Sequence, residues 1–134
     1  MMNFKPSSLL FFFLVCLAII TTSKANDLKK VNIISPTEGQ TVKKGESLLI
    51  KYTTTQLDPD EICSLHVLLL SPEKYQLYQI VADQSVDGKE HEVTVSSSRL
   101  TLYPSYYIRF YENYKAANSE TVERINRDIK IVIS

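Results

Sequence analysis

The sequence predicts an all-β fold, an antiparallel sandwich of two sheets with about seven strands. Apolar and polar residues alternate with a period of two in several short segments, as they do in half-buried strands. Proline, glycine and aspartate residues separate these segments at short intervals, as turns do between strands. No segment shows the apolar spacing of an amphipathic helix, and this combination favours a sandwich over a mixed fold.

The first half of the chain contains clear turn signals between the predicted strands. Pro36 cannot donate to a ladder and Gly39 permits a tight turn, so together they end the first strand. Gly45 lies in the next turn, and Pro72 ends the long central strand. The strands predicted up to this point cover residues 31–34, 47–53 and 62–70, with a brief extended piece at 41–42.

The second half of the chain continues the pattern of strands and turns, except in the segment at 112–124. A loop is predicted at 83–89, and residues 112–124 form a long polar connection. Residues 122–127 fit either a short helix or an early part of the last strand. The strands predicted here cover residues 75–81, 90–95, 106–111 and 128–133.

Tyr106 opens a late strand just after the Tyr103-Pro104 corner, and its parity places it inward. This position suits the tyrosine corner of sandwiches of the immunoglobulin and fibronectin type III kind, in which the hydroxyl bonds to upstream backbone. An ordinary core tyrosine is the alternative.

An uncharged apolar run at residues 9–20 predicts a secretory signal peptide. Lys5 precedes the run, and the small residues Ser23 and Ala25 follow it at the spacing of a cleavage site. The run is shorter than the roughly 20 residues that span a bilayer, although a retained anchor is the alternative. We therefore expect a signal peptide at 1–25, a single domain at 26–134, and a secreted protein located extracellularly or in a cell wall.

The charge of the mature chain argues against nucleic acid as a partner. Lys5 and Lys24 precede the expected cleavage site, so 13 of the 15 basic residues and all 15 acidic residues remain, a net charge of −2. Nucleic-acid binding requires a basic field that this chain lacks overall. No polybasic stretch and no second hydrophobic segment occurs, so we expect no membrane anchor in the mature form.

No residue pattern predicts an enzyme, a metal site or a cofactor. Cys63 and His66 suggest a nucleophile and its base, but residues three apart in one strand point to opposite faces. We therefore expect Cys63 to be buried and unpaired, and one cysteine with His66 and His91 is too few for a zinc site. Asp58, Asp60 and Glu61 suggest either a weak calcium site or a solvated loop.

The tyrosines suggest where a ligand binds, because five of the eight lie between Tyr103 and Tyr114. In an immunoglobulin-like sandwich the strands at 62–70, 106–111 and 128–133 share one sheet. Its outward residues are then His66, Leu68, Leu70, Tyr107, Arg109, Tyr111, Lys130 and Val132. Such an apolar and aromatic face marks an interaction site unless the 112–124 connection covers it. The candidate ligand-binding residues are His66, Tyr107, Arg109 and Tyr111.

The turn and strand signals also resemble a known fungal family. The run Val-Asn-Ile-Ile-Ser35-Pro36-Thr-Glu-Gly39, the Lys44-Gly45-Glu turn and the strand ending at Tyr52 are similar to the opening of the yeast cell-wall synthesis Kre/Knh-like N-terminal domain. That family usually has Trp at the position of Tyr52, and the module also occurs in Ser/Thr-rich glycolipid-anchored (GPI-anchored) fungal surface proteins. Its later strands resemble residues 65–70, 107–110 and 129–133.

The resemblance implies a secreted sandwich domain of a fungal cell surface or cell wall. Combined with the tyrosine-rich face, it predicts a non-catalytic binding module whose partner is wall polysaccharide such as β-glucan, or a surface protein. The alternative is a diffusible secreted effector or inhibitor that binds a host or competitor protein through its loops.

Overall fold

The computed structural model describes residues 27–134. The predicted signal peptide at 1–25, with its cleavage site after Ala25, lies outside the described residues. Within them no helix is both long enough and apolar enough to cross a membrane. The strands are β1 (Val31–Ser35), β2 (Gln40–Val42), β3 (Leu48–Thr54), β4 (Ile62–Leu70), β5 (Gln76–Ser85), β6 (Glu90–Val95), β7 (Ser105–Lys115) and β8 (Glu123–Ile133).

The strands form two sheets, which confirms the predicted all-β sandwich. One sheet has the order β1-β3-β6, and the other has the order β2-β8-β7-β4-β5. The described chain contains eight strands, against about seven expected, because the extended piece at 41–42 belongs to a true strand, β2. Every pairing is antiparallel except that of β2 with β8, which is parallel. The turn at Gly39, with φ +77°, directs β2 across to the second sheet.

The alternation of the sequence accounts for the core. In β7 the even-numbered residues from Tyr106 to Glu112 are buried, and the odd-numbered residues from Tyr107 to Tyr111 are half-buried. The inward side chains of both sheets form one hydrophobic cluster, as two stacked sheets require. Its largest fully buried members are Tyr52, Tyr106, Phe110, Leu48, Ile50, Leu65, Leu69, Ile108 and Ile131.

The connection expected at 112–124 is shorter than predicted, because Glu112 is an inward residue of β7. β7 continues to Lys115 and β8 begins at Glu123, so the loop covers only residues 116–122. Glu112 occupies an inward position of β7, where a carboxylate interrupts the apolar pattern. It is fully buried, and its two oxygens accept hydrogen bonds from the backbone N–H groups of Lys29 at 2.6 Å and Lys30 at 2.7 Å. Those bonds compensate for the loss of water around the charge.

Residues 123–127 belong to the last strand, and residue 122 ends the loop before it, so the segment is an early part of the strand rather than a short helix. The strand expected at 75–81 instead runs to Ser85, and its pairing with β4 contains several register shifts. The residues between β6 and β7 form a short 3-10 helix, Ser97–Leu100, which the alternation does not predict.

Tyr106 forms the predicted tyrosine corner. Its side chain is fully buried, and its hydroxyl oxygen accepts hydrogen bonds from the backbone N–H groups of Leu102 and Tyr103, both at 3.0 Å. The hydroxyl thus supplies the acceptor for two donors at the corner where the chain enters β7. The Tyr103 ring packs edge-on against the Tyr106 ring at a centroid distance of 5.7 Å.

Candidate functional site

The four candidate binding residues lie together on one face of the five-stranded sheet. His66 is in β4, and Tyr107, Arg109 and Tyr111 are in β7, the strand beside it. His66 lies directly opposite Tyr111, and the inward neighbours of all four are buried in the core. We call this surface the outer face; it consists of the outward residues of β4, β7 and β8.

The aromatic ring of Tyr111 is covered on both sides. The His66 ring stacks on it with centroids 4.5 Å apart and planes 3° apart. The guanidinium carbon of Arg124, from β8, lies 3.8 Å from the centroid of the Tyr111 ring. Because β4 and β8 flank β7 on opposite sides, the histidine and the arginine occupy opposite faces of the ring. Tyr111 therefore presents its edge and its hydroxyl to solvent.

A charge cluster occupies the centre of the outer face. Arg109 donates two hydrogen bonds to Asp128, from Nε at 2.7 Å and from Nη2 at 2.8 Å. Lys74, from the β4–β5 turn, approaches the same carboxylate at 3.0 Å and lies 4.5 Å from the centroid of the Tyr107 ring. The hydrogen bond from Arg109, with that from Lys74, lowers the pKa of Asp128, and Asp128 in turn raises the pKa of Arg109. The carboxylate is therefore ionised and shared by two cations.

The expected exposed leucines of this face are buried instead, so that part of the prediction is wrong. Leu68 is 7% exposed and Leu70 is 1% exposed. They lie opposite Arg109 and Tyr107 in the ladder, and Lys74 extends across this end of the face to Asp128. The long stems of the charged side chains cover the apolar surface. The outer face is consequently polar, aromatic and cationic rather than apolar.

The 112–124 connection, expected as a possible cover, supplies one covering group through its last residue, Arg124, which lies over the Tyr111 ring. The covering groups come from Arg124, at the start of β8, and from Lys74, in a different turn.

Cys63 and His66 point in opposite directions, as their spacing predicts. Cys63 is a buried free cysteine in the core, and His66 is half-buried on the outer face. Burial is the main cause that raises the pKa of the Cys63 thiol to about 12. A thiol so hard to ionise is a poor nucleophile. His66 Nδ1 instead accepts a hydrogen bond from the backbone N–H of Asp83 at 3.2 Å.

The acidic segment at 58–61 is joined to the rest of the fold through Glu61. The Glu61 carboxylate accepts hydrogen bonds from the Tyr114 hydroxyl and from the backbone N–H of Asp58, and it pairs with Lys30 at 3.0 Å. The hydrogen bond from Tyr114 is the largest of the causes that lower the pKa of Glu61 to about 2. Among residues 27–134 no group of three histidine, cysteine or acidic side chains is placed to hold a metal ion.

A second polar network, which the sequence did not predict, lies at the edge between the sheets. Asp87 accepts a hydrogen bond from His91 Nε2 at 2.8 Å, and Gln84 Nε2 lies 3.2 Å from His91 Nδ1. The Tyr52 hydroxyl donates to Gln84, and the Tyr52 and His91 rings stack at 5.4 Å. The hydrogen bond from His91 is the largest cause that lowers the pKa of Asp87 to about 2. Each member is satisfied by another, as in a structural network.

Lys74, Arg124 and Asp128 complete the outer face, and sequence reasoning did not single them out. Asp128 and Arg124 share the parity of Lys130. Asp128 opens the predicted strand at 128–133, and extending that strand toward the N-terminus would have placed Arg124 outward as well. No sequence pattern predicts the position of Lys74, because Lys74 lies in a turn and its partner Asp128 is 54 residues later in the chain.

No model of a known protein family matches the chain, and no curated protein matches it. The resemblance to the Kre/Knh-like domain therefore stays a prediction that rests on the residues named above.

Proposed function

We propose that the protein is a secreted, non-catalytic binding module of a fungal cell surface or cell wall. In this proposal its outer face binds wall polysaccharide such as β-glucan, or a surface protein. One observation carries the proposal: His66, Tyr107, Arg109 and Tyr111 lie on neighbouring strands of one sheet, half-buried and pointing to solvent. Surfaces rich in tyrosine and arginine are typical of recognition sites.

The geometry also supports a particular kind of contact. Since both faces of the Tyr111 ring are covered, a sugar does not stack on it unless Arg124 or His66 moves. Hydroxyl, guanidinium and ammonium groups remain as the contacting atoms. A flat polar surface of this kind suits an extended ligand that lies across the strands.

The non-catalytic part of the proposal is supported by the state of the candidate chemical groups. The Cys63 thiol is buried with its pKa raised to about 12. The pKa values of Glu61 and Asp87 are lowered to about 2, and each carboxylate is hydrogen-bonded within a structural cluster. Groups held this way are poor general acids or bases near neutral pH.

The secreted part of the proposal rests on the apolar run at residues 9–20 and the small residues that follow it. Amino-terminal sequencing of material exported by a fungal host tests it. The sequence should begin at Asn26. An intact chain that begins at Met1 and stays with the membrane fraction would contradict secretion.

Sedimentation with insoluble β-glucan and with chitin tests the binding function. We expect Tyr111→Ala together with Tyr107→Ala to abolish co-sedimentation. Tyr78→Ala is the control, because the Tyr78 ring also carries a cation, Arg99 at 3.7 Å, but lies in β5 away from the outer face. Since Tyr78 packs partly against the core, thermal unfolding must show that this variant is folded. Loss of binding in the control and not in the test variant would assign the site to β5.

The alternative, a diffusible effector or inhibitor that binds a host or competitor protein, is favoured by a different observation. A groove of about 310 Å³ beside β5 is lined in part by Leu77, Tyr78, Arg99 and Leu102. Leu102 is 78% exposed, unusually high for a leucine, and exposed apolar side chains beside a groove are typical of protein contacts. For this function Tyr78→Ala, rather than the outer-face variant, should abolish binding to the partner.

A further inference from the structure

Positive charge is concentrated on the outer face although residues 27–134 together carry a net negative charge. Residues 27–134 include 13 basic and 15 acidic residues, since Lys5 and Lys24 precede them. Lys74, Arg109, Arg124 and Lys130 all lie on this face or reach over it, around the single carboxylate of Asp128. Two further carboxylates touch the face among the described residues. Asp83 lies beside His66 at 3.9 Å, and Glu38 accepts a hydrogen bond from the backbone N–H of Lys130 at 3.5 Å. The local field is therefore opposite in sign to the net charge.

Two of these cations are free to meet a ligand. Arg124 and Lys130 are exposed, and the side-chain nitrogens of neither residue lie within 4.0 Å of a carboxylate among residues 27–134. Arg109 and Lys74 share one carboxylate, so their combined charge is only half compensated. Exposed cations that are not paired with a carboxylate attract anions through their electric field.

The spacing of the charges points to a polymer rather than to a small anion. Arg124 and Lys130 are six residues apart on the same strand, a distance of about 20 Å at the usual rise per residue. The Arg109–Asp128 pair lies between them, since Asp128 is part of the same strand. A single small anion reaches only one of these positions, whereas a chain lying along β8 reaches all of them.

The state of the tyrosines argues against the main alternative, the stacking of neutral sugars on their rings. Tyr111 is covered on both faces, and Tyr107 carries Lys74 over its ring. A cation on a ring occupies the surface on which a sugar would stack and leaves a charged group outermost. The face therefore offers ionic contacts more readily than aromatic ones.

We propose that the ligand of the outer face is an acidic polysaccharide, whose carboxylates pair with Arg124, Lys130 and the shared charge of Lys74 and Arg109. This inference rests on the proposed function and narrows its ligand class. Guanidinium groups suit such ligands because they bind carboxylates through two parallel hydrogen bonds.

Binding to polygalacturonate, measured by affinity electrophoresis or calorimetry at low salt, tests the inference. Fully methyl-esterified polygalacturonate is the matched uncharged polymer. We expect binding to the acidic polymer to be at least tenfold tighter than to the ester, and to weaken as salt screens the charges. Arg124→Gln with Lys130→Gln should weaken it at least tenfold. Lys43→Gln with Lys89→Gln removes the same charge from exposed turns elsewhere, and should change it less than twofold.

The outcomes separate the inference from the proposed function. Equal binding of the acidic polymer, the ester and β-glucan would overturn the acidic ligand and leave polysaccharide binding intact. Equal weakening in both double variants would show a nonspecific charge effect and overturn the outer-face site. No binding to any of the three polymers would overturn both the inference and the polysaccharide function, provided that thermal unfolding shows the protein to be folded.

Discussion

The rings of His66 and Tyr111 stack in parallel across two neighbouring strands, with their centroids 4.5 Å apart. The two residues are exact register partners in the β4–β7 ladder, so the backbone pairing itself places one ring against the other. Arg124 then closes the opposite side of Tyr111. His66 and Arg124 therefore hold the Tyr111 ring between them on the outer face.

Removing His66 and Tyr111 together should cost less stability than the sum of the single changes. We expect a coupling free energy of about 0.5 to 1.5 kcal/mol in a double-mutant cycle of His66→Ala and Tyr111→Ala, measured by urea denaturation. Tyr111→Ala combined with His91→Ala is the control. His91 stacks on Tyr52 at the edge of the other sheet, and this combination should be additive within about 0.5 kcal/mol.

Tyr106→Phe should destabilise the domain through loss of the corner hydroxyl alone. The backbone N–H groups of Leu102 and Tyr103 lose their acceptor, while the ring keeps its packing. We expect the free energy of unfolding to fall by roughly 1 to 3 kcal/mol. Tyr103→Phe, at the half-buried neighbouring ring, should change it by less than about 0.5 kcal/mol. Equal effects of the two variants would mean that the hydroxyl does not stabilise the corner.

Glu112→Ala should be among the most destabilising single changes in the chain. It leaves the N–H groups of Lys29 and Lys30 without their acceptor and opens a cavity in the core. We expect a loss of roughly 2 to 5 kcal/mol, against less than about 0.5 kcal/mol for Glu46→Ala on the surface. Glu112→Gln keeps one acceptor oxygen but presents an amide donor to the second N–H. Hydrogen exchange of the Lys29 and Lys30 amides should therefore become faster in that variant.

Acid should weaken the fold through Glu61 and Asp87. Their pKa values are both lowered to about 2, from ordinary values of 4.5 and 3.8. A carboxyl group whose pKa is lowered by folding stabilises the fold above its unfolded pKa, and that contribution is lost as the pH falls through its folded pKa. The free energy of unfolding should decrease between about pH 4.5 and pH 2. Denaturation curves of Glu61→Gln and Asp87→Asn should show a shallower decrease, and a decrease as steep as in the wild type would contradict these assignments.

The Cys63 thiol should react slowly in the native protein and rapidly after unfolding. It is 3% exposed, and burial is the main cause of its pKa of about 12, so little thiolate exists at neutral pH. Labelling with a chromogenic thiol reagent, with and without denaturant, measures both rates. Prompt labelling of the folded protein, or a disulfide-linked dimer on a non-reducing gel, would show that the thiol is accessible.

The sequence predicts the outer face well where strand alternation alone determines it. Tyr107, Arg109 and Tyr111 are placed correctly because a period of two leaves no other face for them once Ile108 and Phe110 are inside. The pairing of His66 with Tyr111 follows from strands 62–70 and 106–111 sharing a sheet. These are local consequences of the backbone geometry.

Features that depend on distant contacts are not predicted. Glu112 has the polarity of a loop residue, and only the approach of Lys29 and Lys30, more than 80 positions earlier, makes its burial stable. Leu68 and Leu70 have outward parity and are nevertheless buried, at the end of the face over which Lys74 reaches to Asp128. Period-two patterns carry no information about which turn folds back over a sheet.

The bonds of Glu112 have a mechanical consequence. Lys29 and Lys30 immediately precede β1, an edge strand of the three-stranded sheet, yet they are fastened to β7 in the centre of the five-stranded sheet. Tension applied at Asp27 is therefore transmitted to β7 through Glu112, and to β8 through the Asp27–Arg127 pair at 2.8 Å, rather than peeling β1 away from β3. Glu112→Gln should lower the rupture force at this end of the domain in single-molecule stretching.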